Sequence, residues 1–171
     1  MRALGPGSVS SLLKLVLDVI SFALWVTLAG LVLAALLALL LPADLDIWRQ
    51  IGAKGARGPM LAAGLLAFTL YVGVVLYIVG RLRRIFTTLT VGDPFHPDNV
   101  ARLRSIGFSL AALELINYIV NLVSGWVFPE QFRSGRFPLN PTAWFAVLVV
   151  FVLAEVFREG ARLRSEAELT I

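Results

Sequence analysis

The sequence predicts an all-α integral membrane protein, a bundle of four transmembrane helices with cytoplasmic N and C termini. Composition is the first evidence, because 58% of the 171 residues are hydrophobic, against roughly 45–50% apolar residues in soluble domains. The second is that these residues are concentrated in four runs, each near the length of about 20 residues that a membrane span requires. The third is that lysine and arginine gather at one end of the runs. We therefore expect one transmembrane domain over residues 1–171.

The four spans are predicted from the apolar runs. The first run, Leu12 to Leu41, is interrupted by Lys14 and Asp18. A cleaved signal peptide is an alternative interpretation of this run, but the run is longer than the roughly 7–15 apolar residues of such signals. The second and fourth helices are expected to continue beyond the membrane as charged cytoplasmic extensions. The predicted spans cover about residues 12–41, 60–80, 103–127 and 142–162.

The distribution of lysine and arginine decides the predicted orientation. Ten of these residues fall on one side of the four spans and five on the other, and the richer side is the cytoplasmic one. Trp48, Trp126 and Trp144 all fall at the opposite boundary, where indole rings favour the membrane interface. Both termini are therefore expected in the cytoplasm, with two outer loops from Pro42 to Pro59 and from Phe128 to Pro141.

A polar turn, Gly92 to Asn99, separates the second span from the third. Pro94 and Pro97 cannot both lie inside a helix, because proline lacks an amide hydrogen and clashes with the preceding helical turn. The second helix is therefore expected to end near Val91, and Pro97 suits the first position of the third helix. The densest positive charge in the chain flanks this turn: Arg81, Arg83, Arg84, Arg102 and Arg104.

Polar side chains inside the predicted spans are candidate sites, because ionisable groups are costly in a bilayer and are often functional there. Glu114, Asn117 and Asn121 recur at helical spacing along one face of the third span. The three carboxylates among the candidates come from three different helices. They could converge, or each could pair with a nearby cation in a structural role. The candidates are Asp18, Glu114, Asn117, Asn121 and Glu155.

Several classes of function lack the residues that they need. The chain has no cysteine, which excludes disulfides, thiolate metal sites and thiol nucleophiles. It has one histidine and no phosphate-binding loop, catalytic triad or metal-ligand spacing. We therefore expect no enzymatic activity, no cofactor and no metal. The net charge is +4, but the basic residues lie at the ends of apolar runs, so we expect lipid contacts rather than direct nucleic-acid binding.

Two segments resemble a known family. Gly92–Phe95 followed by Asn99–Gly107 resembles the central motif of an uncharacterised bacterial family of four-span membrane proteins, domain of unknown function twenty-nine seventy-five. Glu155–Arg164 and the final Glu168–Ile171 resemble its closing motif. The resemblance implies a multi-pass protein of the bacterial inner membrane with no established activity. Family members are often encoded beside a small helix-turn-helix transcription regulator, which implies that the membrane protein antagonises or tethers that regulator.

The leading hypothesis is a non-enzymatic inner-membrane regulatory protein whose cytoplasmic face binds a soluble partner. One alternative is a small transporter or channel component with a polar path along the third span. Another is an accessory subunit of a larger membrane complex. Contact with the lipid bilayer and homo-oligomerisation, or assembly into a complex, are expected in each case. The predicted interaction surface comprises Arg81, Arg83, Arg84, Asp93, Phe95, Asn99, Arg102, Arg104, Arg158, Arg162 and Arg164.

Overall fold

A computed structural model describes residues 9–40, 58–127 and 139–169 of the chain. Within these ranges the protein is all-helical and contains no strand. Four of its helices are long and apolar enough to cross a membrane, which confirms the predicted all-α membrane fold, and the cytoplasmic location of the termini stays a prediction. The N-terminal tail, the first outer loop with Trp48 and most of the second outer loop lie outside the described residues. The helices are α1 (Val9–Leu40), α2 (Gly58–Val91), α3 (Pro97–Val127) and α4 (Pro141–Glu168).

Two of the helices continue well past the apolar runs that predicted them. α2 extends without interruption through its arginines to Val91, and α4 extends through its charged segment to Glu168. Asn140 caps the start of α4, where its Oδ1 accepts a hydrogen bond from the amide of Ala143, and Pro141 occupies the first turn. The helical extensions expected after the second and fourth spans are therefore present.

The chain forms two compact units, one of residues Leu15–Gly80 and one of Met1–Lys14 with Arg81–Ile171. In the first unit, α1 and α2 pack through small side chains. Ala38 and Ala62 are both buried, and Leu61 and Leu65 pack against them. Small residues let two helix backbones approach closely, which is how helices in a bilayer gain van der Waals contact.

In the second unit, α3 packs against α4 through a glycine and two aromatic rings. A Cβ atom placed on Gly107 would lie 3.0 Å from Cζ of Phe151, so the ring occupies the space that a side chain would fill. Phe108 meets the same ring edge-on, with the two centroids 5.2 Å apart, a favourable arrangement for aromatic pairs. Nearer the start of α4, the indole Nε1 of Trp144 donates a hydrogen bond of 2.9 Å to the hydroxyl of Tyr118.

Candidate functional site

The polar turn begins where α2 ends in a left-handed glycine. Gly92 has a φ of +87°, a conformation that residues with a Cβ rarely adopt. Its amide donates to the carbonyl of Leu89 at 3.1 Å, and the amide of Asp93 donates to the carbonyl of Thr88 at 3.0 Å. These two bonds form a Schellman motif, which satisfies carbonyls at the end of the helix. α2 therefore ends at Val91, the position that the prolines predicted.

α3 begins at Pro97, as its sequence predicted. His96 caps this end, because its Nδ1 accepts a hydrogen bond of 3.2 Å from the amide of Asp98. A ring nitrogen that accepts this bond carries no proton. The 3.8 Å approach of the same nitrogen to the Asp98 carboxylate is therefore not an ion pair in this geometry. His96 thus has a capping role.

Asn99 is the centre of the turn, with a relative accessibility of 0%. Its Nδ2 donates to Oγ1 of Thr88 at 2.7 Å and to the carbonyl of Pro94 at 3.0 Å. Its Oδ1 accepts a hydrogen bond of 2.9 Å from Nη1 of Arg102. One buried amide thus ties together the last turn of α2, the loop and the first turn of α3. A buried amide with its donors and acceptor satisfied fixes a single geometry, because each partner left alone would be costly.

Arg102 extends the hydrogen bonds of Asn99 to the surface. Besides Asn99, its Nη1 approaches the carbonyl of Arg84 at 3.4 Å, and its Nη2 forms an ion pair of 3.1 Å with Asp98. The side chain is only 16% exposed. Arg102 is therefore first a structural residue, which joins the α2 extension to the start of α3.

Two contacts connect the turn to α4. The ring of Phe95 packs against Phe157, with centroids 5.7 Å apart, and lies over Gly160. A Cβ on Gly160 would stand 2.4 Å from Cδ1 of Phe95, so only glycine leaves room for the ring. Asp93 and Arg164 form an ion pair although they are 71 residues apart in sequence. The turn and the C-terminal half of α4 therefore form one surface.

We call the depression on this surface the turn groove. It has a volume of about 510 Å³. It contains an aromatic ring and charged groups of both signs, and both the turn and α4 contribute to it. Its lining residues are Asp93, Phe95, His96, Pro97, Ala161, Arg162, Arg164 and Ser165.

The remaining arginines of the predicted surface lie elsewhere. Arg81, Arg84 and Arg102 line a second depression of about 310 Å³, which we call the basic pocket, together with Asp98, Ala101 and Ser105. Arg83, on α2, is not among the lining residues of either depression. The eleven predicted surface residues therefore do not form one site: most line the turn groove or the basic pocket or lie on or beside α4, Asn99 is buried within the turn, and Arg83 lines neither depression.

The flank of α4 carries ion pairs within the helix. Arg158 pairs with Glu155, and Arg162 pairs with Glu159 at 3.0 Å and with Glu166 at 3.3 Å. Arg104 reaches Glu155 from α3 at 4.0 Å. These side chains are about half exposed, so the pairs contribute little stability. They leave α4 with a charged outer face.

The intramembrane candidates are in different environments. Glu114 is buried, with 8% relative accessibility, and its Oε1 has no hydrogen-bond partner among the described residues. Glu155 is 55% exposed and is ion-paired. Arg104 contacts Glu155, and the ten residues from Arg104 to Glu114 span roughly 15 Å of helix, so these two carboxylates do not meet. Asp18 lies on α1 in the other unit and is partly buried.

Asn117 and Asn121 form a pair on α3. Nδ2 of Asn121 donates to the carbonyl of Asn117 at 2.8 Å and to its Oδ1 at 2.9 Å. The side chain of Asn117 is exposed, whereas that of Glu114, three residues earlier, is buried. The polar face predicted from spacing therefore begins in a buried position and continues in an exposed one.

The family model described as Protein of unknown function (DUF2975) matches residues 48–171, which include both motifs, the turn groove and the basic pocket. The chain belongs to the DUF2975 family. The match indicates no enzyme family. No curated protein and no solved structure matches the chain. This DUF2975 protein is thus a multi-pass membrane protein by the length and composition of the four helices among its described residues.

Sequence reasoning missed the partners that give the turn its shape. Thr88, Gly160 and Phe157 all contact residues of the turn, but none was singled out. Gly160 and Phe157 stand inside the closing motif, and the resemblance of that motif to the family was the available signal. Among the described residues, no group of three or more histidine, aspartate or glutamate side chains could hold a metal ion.

Proposed function

We propose that this DUF2975 protein is a non-enzymatic regulatory protein of the bacterial inner membrane that binds a soluble protein on its cytoplasmic face. The observation that supports the proposal is the turn groove, a depression of about 510 Å³ with contributions from two distant parts of the sequence. The groove is lined by residues of the polar turn and of the closing motif, whose polar side chains are not needed to span a bilayer.

The turn groove is pre-organised for binding. The Asn99 hydrogen bonds, the Schellman motif and the packing of Phe95 on Gly160 hold the groove in one arrangement. A surface that is already ordered loses little conformational entropy when a partner binds. This order distinguishes the groove from an extended charged helix that merely faces solvent.

The chemistry of the groove suits a protein partner with both acidic and apolar residues. Phe95 is 37% exposed, and Arg162 and Arg164 present their guanidinium groups at the rim. Aromatic and arginine side chains dominate binding energy at protein interfaces. A small helix-turn-helix regulator of the kind implied by the family resemblance is the partner that we favour. Holding such a regulator at the membrane would keep it from DNA.

The cytoplasmic location of the groove rests on the distribution of basic residues, ten against five. A reporter fused after Ile171 tests it directly. We expect a cytoplasmic reporter to be active and a periplasmic reporter to be inactive. The opposite result would place the groove outside the cell and would remove its access to any cytoplasmic partner.

Co-purification after mild detergent extraction tests the binding function. We expect the doubly substituted variant Phe95→Ala, Arg164→Glu to lose a soluble partner that the wild-type protein retains. Lys54→Glu is the control, because the sequence places Lys54 in an outer loop and the change alters charge on the opposite side of the membrane. Retention of every cytoplasmic partner by the groove variant would contradict the proposal.

A second candidate function, transport, is favoured by Glu114. Its buried carboxylate has an oxygen without a hydrogen-bond partner among the described residues, and such groups in a membrane helix often take part in ion or proton movement. Flux into liposomes tests this function. Glu114→Gln should abolish a flux that Glu155→Gln leaves intact, because Glu155 is exposed and paired with Arg158. Equal fluxes in both variants and the wild type would exclude a path through Glu114.

A further inference from the structure

The basic pocket offers a different chemistry from the turn groove. Three arginines and one carboxylate line it, so its lining is mainly basic. Arg81 and Arg84 are three residues apart on α2, and Arg102 and Ser105 are three apart on α3. Both pairs therefore share a helix face, and the two faces border one depression of about 310 Å³.

Donor groups remain available in this pocket. Arg102 uses both Nη1 hydrogens on Asn99 and Arg84 and one Nη2 hydrogen on Asp98, so two of its five N–H donors are left. Arg84 is exposed and adds a complete guanidinium. Guanidinium groups bind phosphate oxygens through paired hydrogen bonds. Ser105 Oγ donates to the carbonyl of Arg102 at 2.8 Å, so its oxygen can accept a hydrogen bond from a ligand hydroxyl.

The pocket lies at the level of lipid headgroups. Arg81 directly follows the predicted span at residues 60–80, and Arg102 directly precedes the one at residues 103–127. Basic residues at such a boundary contact anionic lipid. A soluble anion could also reach this position. The surface further along the helix, inside the membrane, therefore decides whether the ligand is a lipid or a soluble compound.

The pocket face of α3 continues into the membrane as an exposed apolar surface. At about 100° per residue, Phe108 and Ala112 lie within about 20° of the direction of Ala101 around the helix. Both side chains are exposed. They lie roughly 5 Å and 10 Å beyond Ser105 along the helix, within the nearer half of a hydrocarbon core about 30 Å thick, where acyl chains lie. A charged headgroup site thus lies above an apolar track.

We propose that the basic pocket binds the phosphodiester of an anionic glycerophospholipid, with the acyl chains against the exposed apolar face of α3. Arg81 and Arg84 contact the phosphate from α2, and Arg102 contacts it from α3. Ser105 accepts a hydrogen bond from a headgroup hydroxyl, which favours phosphatidylglycerol among such lipids. This site goes beyond the proposed regulatory function and uses a different surface from the turn groove.

Native mass spectrometry of the purified full-length protein tests the site with phosphatidylglycerol as the probe. We expect wild-type protein to retain this lipid through detergent exchange, and the variant Arg81→Gln, Arg84→Gln to retain about thirtyfold less, given the contribution of each arginine near a membrane surface. Arg83→Gln removes the same charge from the same helix outside the pocket and should retain the lipid. Arg84→Gln alone is the milder variant if the double change impairs folding.

Three outcomes would overturn the proposal. If Arg83→Gln lost as much lipid as the double variant, the effect would be a general attraction between positive charge and anionic lipid. If the wild-type protein retained phosphatidylcholine as well as phosphatidylglycerol, the site would not require an anionic lipid. Displacement of the lipid by an equal concentration of glycerol 3-phosphate would assign the pocket to a free phosphate compound instead. Partner co-purification reports on the turn groove independently, so failure of the lipid site and failure of the proposed function remain distinguishable.

Discussion

The two compact units differ in the kind of contact that stabilises each of them internally. In the α1–α2 unit, buried alanines and leucines such as Ala38, Ala62 and Leu65 pack without directional bonds. In the unit that contains the turn, a buried amide, a helix cap, an ion pair and an aromatic ring on a glycine connect three helical segments. The first kind of contact permits alternative pairings, and the second specifies one.

This difference follows from the solvent around each contact. Lipid chains are as apolar as leucine, so helices in a bilayer gain little by exchanging lipid for one another. A polar turn has to satisfy its hydrogen-bonding groups, and a buried donor or acceptor without a partner costs about 1–3 kcal/mol. Structural specificity therefore concentrates in the turn, and the turn is also where we place the interaction surface.

The largest effect in this comparison is expected for Asn99→Ala. The change removes three side-chain hydrogen bonds at a position with 0% accessibility and leaves the carbonyl of Pro94 and part of Arg102 unsatisfied. We expect the free energy of unfolding to fall by about 2–4 kcal/mol. Equilibrium unfolding in mild detergent, followed by tryptophan fluorescence, measures the loss.

Asn117→Ala is the matched control for this change. It removes an asparagine from the same helix, but at an exposed position where the side-chain amide oxygen accepts a hydrogen bond from Asn121. We expect a loss below about 0.5–1 kcal/mol. A similar loss of stability in both variants would show that the buried hydrogen bonds of Asn99 stabilise the structure no more than an exposed amide elsewhere on α3.

A smaller effect on stability is expected for alanine substitutions at two glycines, Gly160 and Gly80, which should change stability in opposite directions. Gly160→Ala would bring a Cβ to 2.4 Å from the Phe95 ring, so the ring has to move. We expect a net loss of about 1–2 kcal/mol from overpacking. Gly80→Ala meets no atom within 4 Å, and the better helix propensity of alanine should stabilise the protein by up to about 1 kcal/mol.

Removing the ring tests the cause of this effect. In a Phe95→Ala background, Gly160→Ala should become neutral or stabilising, because the clashing group is gone. The same equilibrium unfolding assay measures all four proteins of the cycle. An unchanged loss in the Phe95→Ala background would mean that the Gly160 effect arises from the helix backbone and not from the ring.

The membrane fold could be predicted from composition, because each apolar run is long enough to cross a bilayer, and Pro94 and Pro97 determine where α2 ends and α3 begins. The positions of Val91 and Pro97 at the helix ends follow from backbone chemistry alone. Local rules of this kind need no knowledge of tertiary contacts. The boundaries of α2 and α3 at the turn were accordingly the easiest part of the structure to predict.

The contacts of the turn could not be predicted in the same way. The pairing of Asp93 with Arg164 and the seating of Phe95 on Gly160 depend on how α4 packs beside α3, which no local pattern specifies. The burial of the polar residues on α3 could not be predicted for a related reason. Spacing places Glu114 and Asn117 on one side of the helix, but exposure depends on the packing of neighbouring segments, and Glu114 is buried whereas Asn117 is exposed.

The third prediction concerns the far end of the α3–α4 pair. Trp144→Phe or Tyr118→Phe removes the 2.9 Å bond between the indole and the hydroxyl and should cost about 1 kcal/mol. Tyr118→Phe also removes the 3.4 Å bond that the hydroxyl accepts from the amide of Asn140. The double variant should cost less than the sum of the two single ones, since both changes delete the indole–hydroxyl bond. Additive losses in the cycle would show that the two rings stabilise the protein separately, through packing.

The smallest effect on stability is expected at the Asp93–Arg164 pair. Arg164 is 49% exposed and Asp93 32% exposed, so water and salt screen their attraction, and Asp93→Asn or Arg164→Gln should each cost no more than about 1 kcal/mol. The cost should shrink further as ionic strength rises. Unfolding measured at low and high salt checks this, with Arg83→Gln as the control for a general change in charge.

Partner binding should nevertheless fall with Arg164→Gln, because this residue lines the turn groove. A large stability loss without a binding defect would assign the pair to the fold and not to recognition.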